Sequence, residues 1–400
     1  MNTAVSIDVL GAERLEIVRS ADRLAAVEAA WMELWHRTDG LIFQSHAWIS
    51  AWWSTVQRRD QRALRIGLVW KGERLVAVVP LAIGRRRGLR FLEWAAGSYT
   101  DYGDILVAPE CSLSALQELW SQLCDAGGFD LALISRLSPD AAARKIFTPG
   151  ASGGIRLRHF HRTEVSYRVA GQWESGAAWL ADQSKKTRQN YRRGIKALEE
   201  TGEVRFRLLA PDEPLQPVLE RLAALKRKWL TERMRESDLF EEGVPVLAAL
   251  VDALARAGVL HIFVLECNGV MVAVSINFVQ HDVMMAFVTT FDPDFGRASP
   301  GVILLMDYVQ WSIDHGLSTV DFLCGAESFK HKFSTQAVTL ESVIGTRTAQ
   351  GALASLADRV LQTVRHMRER SSAAAARQAG LERRWALKAR RIRSASCDAL

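Results

Sequence analysis

The chain has 400 residues, 48% of them hydrophobic and 24% charged, which is too much chain for one ordinary core and too apolar for disorder, so two globular domains are expected. The formal net charge of +6 resides in the tail, where residues 351–400 carry eleven Arg and Lys against four Asp and Glu, leaving the body near neutral. No apolar run reaches the roughly 20 residues of a membrane span, the start MNTAVSIDVLGAERLEI is too acidic for a secretory signal, and five scattered cysteines (Cys111, Cys124, Cys267, Cys324, Cys397) without metal-ligand spacing read as free thiols of a reducing cytoplasm.

In chain order, the first distinctive stretch is Trp31 to Trp53, where AWISAWW places tryptophans at helical spacing. Large aromatics at that spacing predict a packed helix. LRIGLVW (Leu64 to Trp70) and ERLVAVVPLAI (Glu73 to Ile83) predict a hairpin turned by Lys71 and Gly72. SLSALQELWSQLCDAGG predicts an amphipathic helix capped by glycine, and FDLALIS a strand after it. Ser184 is a good N-cap for a basic helix that carries Lys185, Lys186, Arg188, Arg192, Arg193 and Lys196 and stops before Gly202. A solvated face is the plain reading of those charges and a polyanion contact the sharper one. A strand from Val204 to Leu209, a loop PDEPLQP and a helix through LERLAALKRKWL follow.

The pattern then repeats. LHIFVLE and VMVAVSINFV (Val270 to Val279) flank Asn268-Gly269, the strongest short hairpin signal. Val283 to Phe291 predicts another strand, PGVILLMDYVQWSIDHG a helix stopped by Gly316, and LSTVDFLCG a strand. Val-Ala-Val follows the turn glycine in both hairpins, at Val76 to Val78 and Val272 to Val274. Each half therefore reads hairpin, further strand, helix, strand, which predicts two α/β domains of one fold from an old duplication.

FDPDFGRASPG joins a strand to an apolar helix. A helix start there offers unpaired amides and a positive dipole end to a phosphate. Arg297 adds a forked cation, Ser299 a hydroxyl, and Gly296 and Gly301 admit close backbone approach. An ordinary strand-to-helix loop with a good N-cap is the plain alternative. The first copy of this segment, GSYTDYGDILVAPECS, holds Asp101 and Asp104 and no cation, so it repels phosphate.

The order of elements resembles the GCN5-related acetyltransferase (GNAT) fold, in which the loop after the fourth strand cradles the pyrophosphate of acyl-CoA. Phe43-Gln44-Ser45-His46-Ala47-Trp48 with Trp52, Pro80-Leu81, Asp101-Tyr102-Gly103-Asp104, the Ser184 to Gly202 helix, Ser299-Pro300-Gly301 and Phe329-Lys330-His331-Lys332-Phe333 look like the acetyltransferase domain of bacterial CelD proteins, also termed BioF2-like. That family is in turn similar to the Fem-type transferases, which carry two such domains. The resemblance implies an α+β (α/β) chain of two tandem GNAT-like domains, each a mixed, mostly antiparallel sheet flanked by helices. Residues 1–165 would form a degenerate acceptor-side domain, 166–345 an acyl-CoA-side domain, and 346–400 a basic helical or disordered tail.

It also implies acyl transfer from acyl-CoA, as co-substrate and without a metal, to an amine or hydroxyl of a cell-envelope or exopolysaccharide-related acceptor. A non-catalytic accessory of polysaccharide synthesis and an aminoacyl-tRNA-dependent transferase are the alternatives. Arg297, Ala298, Ser299, Gly301 and Val302 would bind the donor. Glu327, His331 and Asp321 are candidate bases, and Lys330, Lys332, Asp101 and Tyr102 candidate acceptor contacts. The tail, with Leu381, Trp385, Leu387 and Ile392 as its apolar residues, is a candidate contact for an anionic inner-membrane surface or for tRNA on a cytoplasmic protein.

Overall fold

A computed structural model describes residues 13–363, except 57–58, 151–153, 235–236, 242, 244 and 326. Residues 1–345 form one compact unit and residues 346–400 a second. In the second, residues 349–363 are helical. The apolar residues of the tail from Leu381 onward, and Cys397, lie outside the described residues.

The first half of the larger unit begins with β1 (Glu13–Val18), α1 (Ala21–Ala26), α2 (Glu28–Arg37) and α3 (His46–Thr55). Ser45 caps α3 by accepting from the Trp48 amide at 3.1 Å, and Trp48 and Trp52 are buried as their spacing predicts. The hairpin β2 (Arg62–Lys71) and β3 (Arg74–Arg86) turns at Gly72, φ +60°. Then come β4 (Leu89–Trp94), the short β5 (Leu106–Val107), α4 (Leu113–Asp125), β6 (Leu131–Leu137) and β7 (Leu157–His159).

The second half repeats this series. It contains β8 (Glu164–Ala170), α5 (Gly176–Asp182), α6 (Lys185–Glu199), β9 (Val204–Leu208), α7 (Leu215–Glu232) and α8 (Val246–Arg256). The hairpin β10 (Leu260–Cys267) and β11 (Val270–Gln280) follows, then β12 (Val283–Phe291), α9 (Pro300–Asp314), β13 (Thr319–Cys324), α10 (Ser328–Phe333) and β14 (Gln336–Thr346). The helix expected to follow the PDEPLQP loop starts within it, at Leu215. Pro217 is tolerated there because first-turn amides have no partner inside the helix.

The strand order is β1-β2-β3-β4-β6-β14-β8-β13-β12-β11-β10-β9. Read from both ends it is a pseudo-repeat: β1 to β4 match β9 to β12, and β6 matches β13. Most pairs are antiparallel. Among the pairs whose register is described, the parallel ones are β4 with β6 and β12 with β13, each the crossover that encloses a helix, α4 or α9. The match closes by exchange, because β14 from the end of the unit lies next to β6, and β8 from its middle lies next to β13. The mixed, mostly antiparallel architecture with flanking helices is therefore present, and its two copies share one sheet.

Alternation sorts the apolar side chains. On β10, Ile262 and Val264 join a core that also takes Leu222 of α7, Leu250 of α8 and Trp48 of the first half. Phe263 and Leu265 face the other way, into a core with Ile303, Leu304 and Tyr308 of α9. The strands β12 and β13 pair only from Val283↔Thr319 to Met285↔Asp321. Beyond that they part, and the gap is where the site forms.

Candidate functional site

Between the parted strands lies a cavity of about 590 Å³, within the range of small-molecule sites. Its walls come from β12 (Ala286 to Phe291), the start of α9, α7, the segment around Phe240, the α10 region and the first-half loop Ser98 to Asp101. The β11–β12 register shifts at Ile276/Asn277 and leaves Phe287 as an extra residue, a bulge that turns this part of β12 toward the opening. Phe287 is held from behind by Trp48, ring centroids 5.5 Å apart.

Ser299, Gly301 and Val302 line the cavity at the N-terminus of α9. Ser299 adopts the left-handed conformation (φ 56°) and its side chain caps nothing in the helix. The amides of Val302 and Ile303 both bond to the Ser299 carbonyl, at 2.9 and 3.2 Å. Pro300 has no amide hydrogen, so among the described residues Gly301 is left as the unbonded donor of the first turn. A Cβ on Gly301 would lie 2.9 Å from the Phe291 ring, so glycine lets helix and strand touch. The ordinary well-capped loop is therefore not what forms here. Ala298 is buried behind the wall, its carbonyl 2.4 Å from where a Cβ on Gly194 of α6 would stand. Arg297 is exposed and off the cavity lining.

Across the cavity, Gly325 opens a turn at φ +146°, a backbone conformation that residues with a Cβ rarely adopt. Glu327 and Lys330, three apart at the start of α10, pair at 3.3 Å, and Lys330 Nζ donates to the Cys324 carbonyl at 2.5 Å. Lys330 is buried and Glu327 half exposed. Asp101 completes this corner from the first half. Burial pushes its carboxyl above the usual aspartate range, opposed by the charges of Arg136 and Lys330 and by the Cys324 amide.

The other expected residues lie elsewhere. Asp321 and Tyr102 are buried in a polar knot at the seam of the halves. Asp321 accepts from Tyr102 Oη (2.6 Å), Ser166 Oγ (2.6 Å), Arg168 Nε (2.8 Å) and the Leu323 amide (2.8 Å). With every lone pair engaged, Asp321 is placed to hold structure and not to take a proton from a substrate. His331 and Lys332 are exposed and off the cavity lining. His331 stands edge-on to Tyr167, and Lys332 lies over Phe333.

Among the cavity residues that the sequence reading did not single out, three bear on the chemistry. Tyr308 lies seven residues after Gly301, two helical turns along one face. Its burial raises the phenol well above the usual range, so it keeps its proton at neutral pH. Lys226 and Trp229, three apart on α7, are the other two. Among the described residues no group of three or more His, Cys, Asp or Glu could hold a metal, and no helix is long and apolar enough to cross a membrane.

A family model for the acetyltransferase (GNAT) domain matches residues 185–331, the stretch from the start of α6 to the middle of α10. Residues 185–331 carry a GNAT-type acetyltransferase domain. The GNAT domain thus contains the α9 N-terminus, both parted strands and the Glu327–Lys330 pair, while Asp101 comes from outside it. Solved structures extend the likeness over the larger unit. The C-terminal domain of a putative lysylphosphatidylglycerol synthetase from Agrobacterium fabrum superposes with a TM-score of 0.51 at 14% identity, over 84% of this chain and 97% of that one. The L-PGS of Bacillus licheniformis gives 0.51 at 13%, over 86% and 96%. FemX gives 0.50 at 10%, over 82% and 96%. At these identities the likeness is one of fold. No curated protein matched the sequence.

Proposed function

We propose that the protein transfers an acyl group from acyl-CoA to an amine, within the cavity between β12 and β13. The observation that carries this reading is that an unbonded helix-start amide, a carboxyl lifted by burial and a protonated phenol line the same cavity: Gly301, Asp101 and Tyr308. The Gly301 amide and the positive end of α9 suit the phosphates of the donor. Asp101 is the base for the amine proton and Tyr308 the acid for the departing thiolate. Glu327 is the second carboxylate of the acceptor side, with Lys330 holding it in place. Amines of envelope precursors, the class named by the sequence resemblance, are the first acceptors to screen, since Fem-type and lysylphosphatidylglycerol proteins share this fold.

The test is a thermal-shift titration with acetyl-CoA and longer acyl-CoAs. Binding to the folded state alone should add about 2.7 kcal/mol at a hundred times Kd. Ser299→Asp, which keeps a residue tolerant of the left-handed conformation and faces the donor with a like charge, should weaken binding about tenfold or more. Arg297→Glu on the rim should weaken it less. No shift with any CoA thioester would refute the reading.

A donor carried on tRNA is the second reading. It is favoured by the outer face of α6, where Lys185, Lys186, Arg192, Arg193 and Lys196 are exposed and none forms an ion pair among the described residues. Activity lost on RNase treatment would select it over acyl-CoA.

A further inference from the structure

Lys226 is a cavity cation that the acyl-transfer reading leaves without a task. It projects from α7 into a corner made by Trp229 and Phe240, with Nζ 4.8 and 5.7 Å from the two ring centroids. Its single hydrogen bond among the described residues is a long one, 3.3 Å to the Thr289 carbonyl, so two of its three donors are unused. No described carboxylate lies within ion-pair distance of it. Glu327 is the acidic group whose charge bears on it, and Glu327 is already paired with Lys330. Burial pushes the ammonium below the usual lysine range, and the Lys330 charge pushes the same way. Lys226 is half-buried on the cavity wall, and a partly desolvated cation with unused donors is favoured by an anion that meets it.

The position of Lys226 says which molecule brings that anion. The apolar residues of α7 join the core shared with the first half, whereas those of α9 join the core on the other face of the sheet. A donor seated on the α9 N-terminus therefore enters from one side, and Lys226 stands on the other, the side from which Asp101 also comes. Among the described residues the cavity lining offers ammonium groups and no arginine fork, and an ammonium against aromatic rings fits a singly charged carboxylate better than a phosphate dianion.

We propose that Lys226 anchors a carboxylate on the acceptor, so that the amine acylated here belongs to an amino acid or to another amine that carries a carboxylate. This inference rests on the acyl-transfer reading and narrows its acceptor. The neutral amine attacks the thioester carbonyl, a C–N bond forms and the C–S bond breaks. The amine proton passes to Asp101 and the thiolate leaves as the thiol, protonated by Tyr308. Lys226 takes no part in these bonds.

The experiment compares matched acceptor pairs that differ by the carboxylate alone: L-lysine with cadaverine, L-ornithine with putrescine, and glycine with methylamine. Free thiol released from acetyl-CoA is the readout, for the full chain and for Lys226→Arg, Lys226→Met and Lys226→Glu, each checked for an unchanged thermal midpoint. The full chain should favour the acid-bearing member of a pair about tenfold or more in kcat/KM, as expected for one charge-assisted contact. Lys226→Arg should keep the preference, Lys226→Met should bring it toward one, and Lys226→Glu should reverse it. A preference that survives Lys226→Met overturns the inference. So does a Lys226→Met variant whose KM for acetyl-CoA rises equally with both members, since the lysine would then serve the donor. Acyl-CoA binding without turnover of any pair overturns the inference alone, whereas failure to bind any acyl-CoA overturns the acyl-transfer reading and this inference with it.

Discussion

Asp101 belongs to a loop of the first half, yet its carboxyl faces the cavity of the second, where burial outweighs the nearby cations and raises its proton affinity. A base works only when deprotonated, so kcat/KM should climb with pH along a limb that lies above the ordinary aspartate range near 3.9. Asp101→Asn should lower kcat by about a hundredfold or more and remove that limb, which a pH–rate series on both proteins would check. At this scale the sequence was partly readable. Ser299 and Gly301 announce themselves because proline and glycine punctuate the junction, and Glu327 and Lys330 because a glycine precedes them. His331 and Lys332 look the same as Lys330 in a string of letters. Each residue of a helix turns about a third of a revolution from the last, so one of three adjacent side chains points inward. Lys226 has Lys and Arg neighbours in the sequence, and nothing local distinguishes a cavity-lining lysine from a solvated one.

At the scale of elements, α6 and α9 are locked by a close approach and one polar contact. Gly194 lets α6 lie on the Ala298 carbonyl, and the Tyr191 hydroxyl donates to the Asp307 carboxylate. Burial pushes the Asp307 carboxyl up to about 6, against the opposing pull of Tyr191. Its unfolded value lies near 3.9. Between those values the folded state holds a proton that the unfolded state has released, so stability is highest below pH 4 on this account and falls as pH rises through 6. The loss is about 3 kcal/mol, two pKa units at about 1.4 kcal/mol each. Asp307→Asn should flatten that decline, measurable as urea midpoints at pH 4, 5, 6 and 7. The strands and helices themselves were well marked, because apolar period and glycine stops agree in both copies. The Tyr191–Asp307 pair was not legible, since a hydrogen bond between helices leaves no trace in either helix's own period.

Over the whole molecule, the knot around Asp321 ties the halves together. Tyr102 comes from the first, Ser166 and Arg168 from β8 and Asp321 from β13, and Arg168 also donates to the Tyr102 hydroxyl at 3.0 Å. Asp321→Ala would strand three donors and a guanidinium and should cost about 3 kcal/mol. One apolar core runs from Val18 to Val343. The loss should therefore appear as a single shifted unfolding transition of unchanged slope, not as a separate early step. The repeat of elements was readable because its punctuation recurs. The exchange of β8 and β14 was not, because alternation says that a segment is a strand and is silent about its neighbour.

That exchange sets a timetable for synthesis. The sheet edge at β6 stays open until residues 336–346 arrive to cover it, so about half of the chain is made while that edge has unpaired backbone on display. A fragment ending at residue 165 would keep that edge permanently and should associate through it, whereas the finished chain closes it with its own last strand.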